Sequence, residues 1–352
     1  MIPEIRERIL SRDPGDWPLP QPMGRLSFMR IGSPRLVPGE GTAAFLCFNG
    51  SWPDPILVVK AAKEPRFSES IRAEHANLGK AKAMLGGVGF VRIPDALDLF
   101  EVDGCAVLLE SFLSGRTFLG NVDVRDGFLI RRRVRRGMDL SARWAAEAGR
   151  ITLAGAPTVS AEGVREIANR FRATFNATEA ERRYLAAIVE SVEDLRLPLL
   201  PAHGDFFAGN LLYDRGRLGV CDWSSFQERT VPLLDFVTFT TARSLVGMKG
   251  PWFAERCVVT GPLRGRTGWY ETLLMQSARR ACEGLGIPSA SLPTIWGLAL
   301  LAAAVMDRSA LGSRPAVAEG FRNHFAQLAA LVEKRKHATL PSRGNPSAGS
   351  SS

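Results

Sequence analysis

Two periods of apolar spacing run along the chain. Short runs rich in β-formers predict strands at Leu26–Ile31, Thr42–Phe48, Pro55–Lys60, Val91–Leu99 and Ala106–Leu109, the last two joined by a turn over Phe100–Gly104. Between the third and fourth, Phe67–Leu85 switches to helical spacing, with Ile71, Leu78 and Leu85 on one side and Ala81 between them. Past residue 113 helical spacing takes over. Met138–Ala154 carries the stripe Leu140, Trp144, Ala148 and Ile151, and a second helix is expected over Ser160–Thr174. Thr178 and Glu181 form a capping box opening a third helix, which runs to Leu195 with Leu185, Ile188, Val192 and Leu195 on its apolar face. Asp235–Lys336 reads as further helices. A short helix over Pro3–Leu10 is expected within an N-terminal extension, residues 1–23. The Pro-, Gly- and Ser-rich residues 337–352 are expected to be disordered.

One stretch breaks the helical pattern. From Pro201 to Phe236 the chain reads PAHGDFFAGNLLYDRGRLGVCDWSSFQERTVPLLDF. Leu211–Tyr213 and Leu218–Cys221 are two short strands around a turn at Asp214-Arg215-Gly216. A hairpin of that length brings its ends together, so Asn210 is expected beside Asp222, with Asp205 on the entry loop. Asp205 and Asn210 are separated by four residues. An Asp, an Asn and a second Asp on such a scaffold suit phosphoryl transfer, which needs a base near the attacking hydroxyl and oxygen ligands for Mg²⁺.

HGDFFAGNLL followed by CDW resembles the aminoglycoside phosphotransferase and choline kinase family of small-molecule kinases. The resemblance implies an α+β, two-lobed, protein-kinase-like fold. A small antiparallel β lobe with one helix (residues 24–112) would precede a larger, mainly helical lobe (residues 113–336) that carries the acceptor site. It implies ATP and Mg²⁺ as cofactors, Asp205 as the base, and Asn210 and Asp222 as metal ligands. Lys60, closing an apolar strand, needs a partner for its ammonium; the family places there the nucleotide phosphates and a glutamate of the next helix, here Glu74, with Glu69 the alternative. Adenine is expected against the main chain of Glu110–Phe112, where the small lobe hands over to the large one. The phosphate-covering loop is expected over Gly32–Gly41, with no single residue assigned. His203 is read as a structural member of its loop, and Asp235 in Pro232-Leu233-Leu234-Asp235 as a capping or loop-tying carboxylate. Ser224 departs from the acid that relatives often carry there, a difference expected to bear on the acceptor more than on the metal.

The expected activity is therefore transfer of the γ-phosphate of ATP to a hydroxyl of a small molecule. The resemblance covers aminoglycosides, choline-like amines, sugars and amino-acid derivatives. A non-catalytic nucleotide-binding or scaffolding role on the same fold, and a protein hydroxyl as acceptor, are the alternatives. Composition changes this picture little. The formal charge is +9 over 352 residues, but no zinc-ligand spacing or aromatic RNA-binding motif accompanies it, so nucleic acid is not an expected partner. Arg131–Arg136, interrupted only by Val134, is read as a solvated helix face or linker, with a docking patch for an acidic acceptor as the sharper alternative. Cys47, Cys105, Cys221, Cys257 and Cys282 are odd in number and sit mostly in apolar company, as in a reduced cytoplasmic protein. No N-terminal signal and no membrane span are expected. Ile295–Met306 is strongly apolar but short for a span and is read as a buried core helix.

Overall fold

The computed structural model describes residues 1–12, 24–31, 41–50, 52–117, 127–241, 269–309 and 315–338. Most of the region expected to form the phosphate-covering loop (residues 32–40), Cys257 and residues 339–352 lie outside them.

Helix α1 (Ile2–Leu10) comes first, followed by β1 (Leu26–Ile31), β2 (Thr42–Asn49) and β3 (Leu57–Ala62). Then come α2 (Ser68–Leu85), β4 (Val91–Arg92), β5 (Ala96–Val102) and β6 (Cys105–Ser111). Five of these strands form an antiparallel sheet in the order β1-β2-β3-β6-β5. Alternation along the strands gives the sheet two apolar faces. Leu57, Val59 and Ala61 of β3, with Val107 and Leu109 of β6, pack against Ile5 and Ile9 of α1. Ala62, Ala106 and Leu108 lie on the other face with Ile71, Leu78 and Ala81 of α2. The small lobe thus has two helices where one was expected. α1 belongs to its core, because the odd-numbered face of β3 and β6 is apolar and needs a cover.

The fourth expected strand is two. Val91–Arg92 pairs in parallel with a strand of the large lobe, whereas Ala96–Val102 pairs antiparallel with β6. Pro94 stands between them, where a missing N–H interrupts any ladder. β3 also runs two residues past Lys60, since Ala61 and Ala62 pair with β2. Lys60 is therefore an interior strand residue.

The large lobe begins with β7 (Arg116–Thr117), α3 (Gly127–Thr152), α4 (Ala161–Thr174) and α5 (Glu179–Leu195). α3 starts well before Met138 and takes in the arginine run. Val134 and Met138 are buried, whereas Arg131, Arg132, Arg135 and Arg136 are exposed. Arg136 lies over the Tyr213 ring, 4.8 Å from its centroid. The capping box of α5 is present in full: Thr178 Oγ1 accepts from the Glu181 N–H, and the Glu181 carboxylate accepts from that of Thr178. After α5 come β8 (Leu200–Ala202), β9 (Leu211–Asp214), β10 (Arg217–Val220) and β11 (Gln227–Thr230). The chain then continues with α6 (Leu234–Thr241), α7 (Trp269–Gly284), α8 (Leu292–Ser309) and α9 (Pro315–Ala338). The stretch Ser289–Met306 is long and apolar enough to cross a membrane by composition, yet 67% of it is buried inside the fold, where α8 packs on α4, α5, α6 and α9. It is a core helix.

β9 and β10 form the expected hairpin, with β4 and β7 on its flanks in the order β4-β10-β9-β7. Its strands are short, and the loop from β8 leads into the first of them.

Candidate active site

The loop from His203 to Asn210 is anchored from below by one carboxylate. Asp235, buried at the start of α6, accepts three hydrogen bonds. They come from the backbone N–H groups of His203 (2.8 Å) and Gly204 (2.9 Å) and from the Trp144 indole N–H (2.8 Å). Burial raises its carboxyl above the usual aspartate range, against the lowering influence of His203 and these three donors. Asp235 is thus a loop-tying group, as its place in the segment opening a helix suggested. The His203 ring is wholly buried. Its Nε2 lies 3.1 Å from the Cys221 carbonyl and its Nδ1 3.3 Å from the Asp205 N–H. A carbonyl only accepts and a backbone N–H only donates, so the proton sits on Nε2 and neither nitrogen is left for a substrate or a metal. Gly204 has φ +82°, and a Cβ there would collide with the Ser225 carbonyl, so glycine is the residue this corner admits. Trp144 stacks on Phe206 with centroids 5.4 Å apart, and Trp223 meets the His203 ring edge-on at 4.7 Å. Trp144→Phe keeps this stacking and removes one donor to Asp235. We expect it to cost about 1–3 kcal/mol, read as a lower urea midpoint with unchanged slope.

Above that floor the oxygen-bearing groups converge. The Asn210 Nδ2 donates to the Asp205 carbonyl (3.0 Å) and to its carboxylate (3.2 Å), and its amide oxygen takes no part in these two bonds. Cys221 donates its N–H (3.0 Å) and its Sγ–H (3.2 Å) to the Asn210 carbonyl. Asn210 therefore lies against the residue before Asp222, as the hairpin length predicted. Asp222 is left-handed, φ 66° and ψ 72°. Ser224 Oγ donates to its Oδ1 at 2.9 Å. Ser224, where relatives often carry an acid, thus touches the Asp222 carboxylate.

From the small lobe, Lys60 reaches the same place. Its ammonium pairs closely with Glu74 of α2 and lies 3.2 Å from Glu110 Oε1. Of the two helix acids considered, Glu74 is the buried partner, whereas Glu69 is exposed and faces Arg72. Glu110 has a side-chain role that sequence reading missed. Cα pairing sets it opposite Val58, on the same sheet face as Lys60 and diagonal to it. An acid closing the apolar run CAVLLE was the available signal. Burial pulls the Lys60 ammonium down, but Glu110, Glu74 and Asp222 together raise it well above the ordinary lysine value. Burial likewise raises Glu74, to about 7, and Glu110, with Lys60 opposing both shifts. One ammonium thus faces three carboxylates, and the cluster is short of positive charge. Phe112 is half-buried in the crossing segment beyond β6, where the Ser111 N–H is already bonded to the Asp95 carbonyl at 2.9 Å.

A model of the phosphotransferase enzyme family matches residues 52–227, half of the chain. The chain belongs to the phosphotransferase enzyme family. The matched span of the family runs from just before β3 through the hairpin and ends inside β11. Among solved structures, the chain is similar to a thermostable mutant of aminoglycoside phosphotransferase APH(4)-Ia in ternary complex with ADP and hygromycin B. They share 14% identity and a TM-score of 0.52 over 90% of this chain and 95% of that one. The apo form of a thermostable mutant of APH(4)-Ia, without the further substitution that the protein of that complex carries, matches at 14% identity and a TM-score of 0.52, over 90% and 96%. These likenesses establish a common fold. No curated protein sequence matches the chain.

The residues present suit Mg²⁺. Among the described residues no group of three or more His, Cys, Asp or Glu side chains makes a cation cage of its own. Two protein oxygens suffice for Mg²⁺ where nucleotide phosphates and water complete its shell. The surplus of carboxylates around Lys60 favours an added cation.

Proposed function

We propose that this phosphotransferase moves the γ-phosphate of ATP to a hydroxyl group of a small molecule. The observation that carries the reading is an unbroken run of contacts from one lobe to the other. Lys60 pairs with Glu74, Glu74 accepts the Trp223 N–H next to Asp222, Cys221 bonds Asn210, and Asn210 bonds Asp205. Phosphate-gripping, metal-holding and proton-accepting groups are thus tied into one centre, which is the set phosphoryl transfer requires.

In this reading Lys60 grips the nucleotide phosphates, held in aim by Glu74. Asn210 Oδ1 and Asp222 hold Mg²⁺, which when bound neutralises charge on the phosphate oxygens. Asp205 takes the proton of the acceptor hydroxyl, its carboxylate aimed by the Asn210 amide. Adenine lies against the main chain of Glu110–Phe112. The protein works in the cytoplasm. APH(4)-Ia was solved with hygromycin B, so aminoglycosides are the first acceptors to try, followed by choline-like amines, sugars and amino-acid derivatives. The test is ADP release from Mg²⁺-ATP, compared with and without each acceptor. Acceptor-dependent release supports the reading. A protein that neither binds Mg²⁺-nucleotide nor releases ADP with any of them overturns it.

A further inference from the structure

The left-handed backbone of Asp222 is uncommon for a residue with a side chain, although Asp and Asn tolerate it better than most. The residue that follows it is firmly held. Both polar backbone groups of Trp223 are held by side chains of α2. Its N–H donates to Glu74 Oε1 at 3.2 Å, and its carbonyl accepts from Asn77 Nδ2 at 3.1 Å as well as from the Phe226 N–H at 3.1 Å. The same Asn77 amide reaches the Ser224 carbonyl at 3.2 Å. Glu74 and Asn77 are three residues apart, so they share a helix face and one turn of α2 grasps a whole residue of the other lobe. One turn further on, Lys80 pairs with Glu228 at 2.6 Å along the same edge. On the far side the Trp223 indole donates to the Val220 carbonyl at 2.9 Å, which locks the ring under the loop.

Resting on the kinase reading above, we propose that Asn77 is a positioning residue. It fixes α2 to the Trp223–Ser224 backbone and so holds Asp222 in the conformation that presents its carboxylate beside Lys60. Lys60 uses the same Glu74 oxygen that receives the Trp223 N–H. The phosphate-gripping pair and the metal-side carboxylate are therefore mounted on one clamp, and α2 needs no separate docking step when nucleotide arrives. Asn77 touches neither phosphate nor metal in this scheme. Its effect passes through the backbone beside Asp222.

Two variants test this. Asn77→Ala removes the donor, and Asn77→Asp keeps the shape but sets a carboxylate against two carbonyls. ADP binding is titrated calorimetrically at stepped MgCl₂, alongside melting curves that verify folding. The Mg²⁺ concentration giving half of the metal-dependent gain in ADP affinity is expected to rise about 10-fold or more, as for other supports of metal ligands. ADP affinity without Mg²⁺ should stay within about twofold, because Lys60 and Glu74 are untouched. A melting temperature that falls while the Mg²⁺ midpoint stays at the wild-type value makes Asn77 a structural residue only and overturns the proposal. Wild-type protein that fails to bind ADP at any Mg²⁺ level overturns the kinase reading itself, a result distinct from an unaffected variant.

Discussion

Asp205→Ala is expected to lower turnover by about 10²–10⁴-fold, the usual contribution of a positioned general base. Nucleotide affinity should barely change. The Lys60 ammonium pairs with Glu74 and Glu110, whereas the Asp205 carboxylate accepts from the Asn210 amide and the Asp205 N–H donates to the His203 ring. The backbone N–H bond to His203 and the Asn210 bond to the Asp205 carbonyl do not involve the lost carboxylate, so the loop keeps most of its ties. Steady-state rates on whichever acceptor proves active, set beside ADP binding, separate the two effects. Wild-type turnover in Asp205→Ala would remove the proposed mechanism. A parallel loss of nucleotide affinity would mean that the residue belongs to the phosphate site and not to the acceptor side.

Asp222→Asn should abolish the Mg²⁺ dependence of nucleotide binding and cost turnover on the order of 10³-fold, since a metal supplies several kcal/mol of charge stabilisation. Asparagine is the apt substitution, because it tolerates the left-handed backbone that Asp222 adopts and retains an oxygen for the Ser224 hydroxyl. What it removes is the charge. That loss also relieves Lys60 of one of the three acids that raise its ammonium. Nucleotide affinity without metal is therefore expected to hold or to improve slightly, while affinity with Mg²⁺ falls to the metal-free level. Calorimetric titration with and without MgCl₂ measures both. A variant that retains the full Mg²⁺ effect shows that the cation is held elsewhere.

The β9–β10 hairpin was legible because its signals are local. The strand lengths, the turn at Asp214-Arg215-Gly216 and the spacing of Asp205, Asn210 and Asp222 act over a few residues, and the structure brings the three onto neighbouring backbone. Lys60 and Glu74 were legible for a related reason, each marked by a charge where its strand or helix face is otherwise apolar. Glu110 carried the same mark at the end of β6, but only strand pairing shows that β6 lies beside β3 and that Glu110 shares the face of Lys60. Asn77 and Trp144 carried no mark. One is an asparagine on a half-buried helix turn and the other an aromatic in an apolar stripe. Their partners, Trp223 and Asp235, stand 146 and 91 residues away.

By itself the sequence determined the periods of its elements, the apolar faces they must bury and the spacing of Asp205, Asn210 and Asp222 about one hairpin, since each depends on neighbours within a turn or a strand. The tertiary structure decided that α1 covers the second face of the small sheet and that the run after Phe90 divides between two sheets. It also decided that one turn of α2 holds the backbone beside Asp222. Those outcomes depend on which faces meet across the fold, and the free energy of such meetings is set by shape and charge brought together from distant parts of the chain.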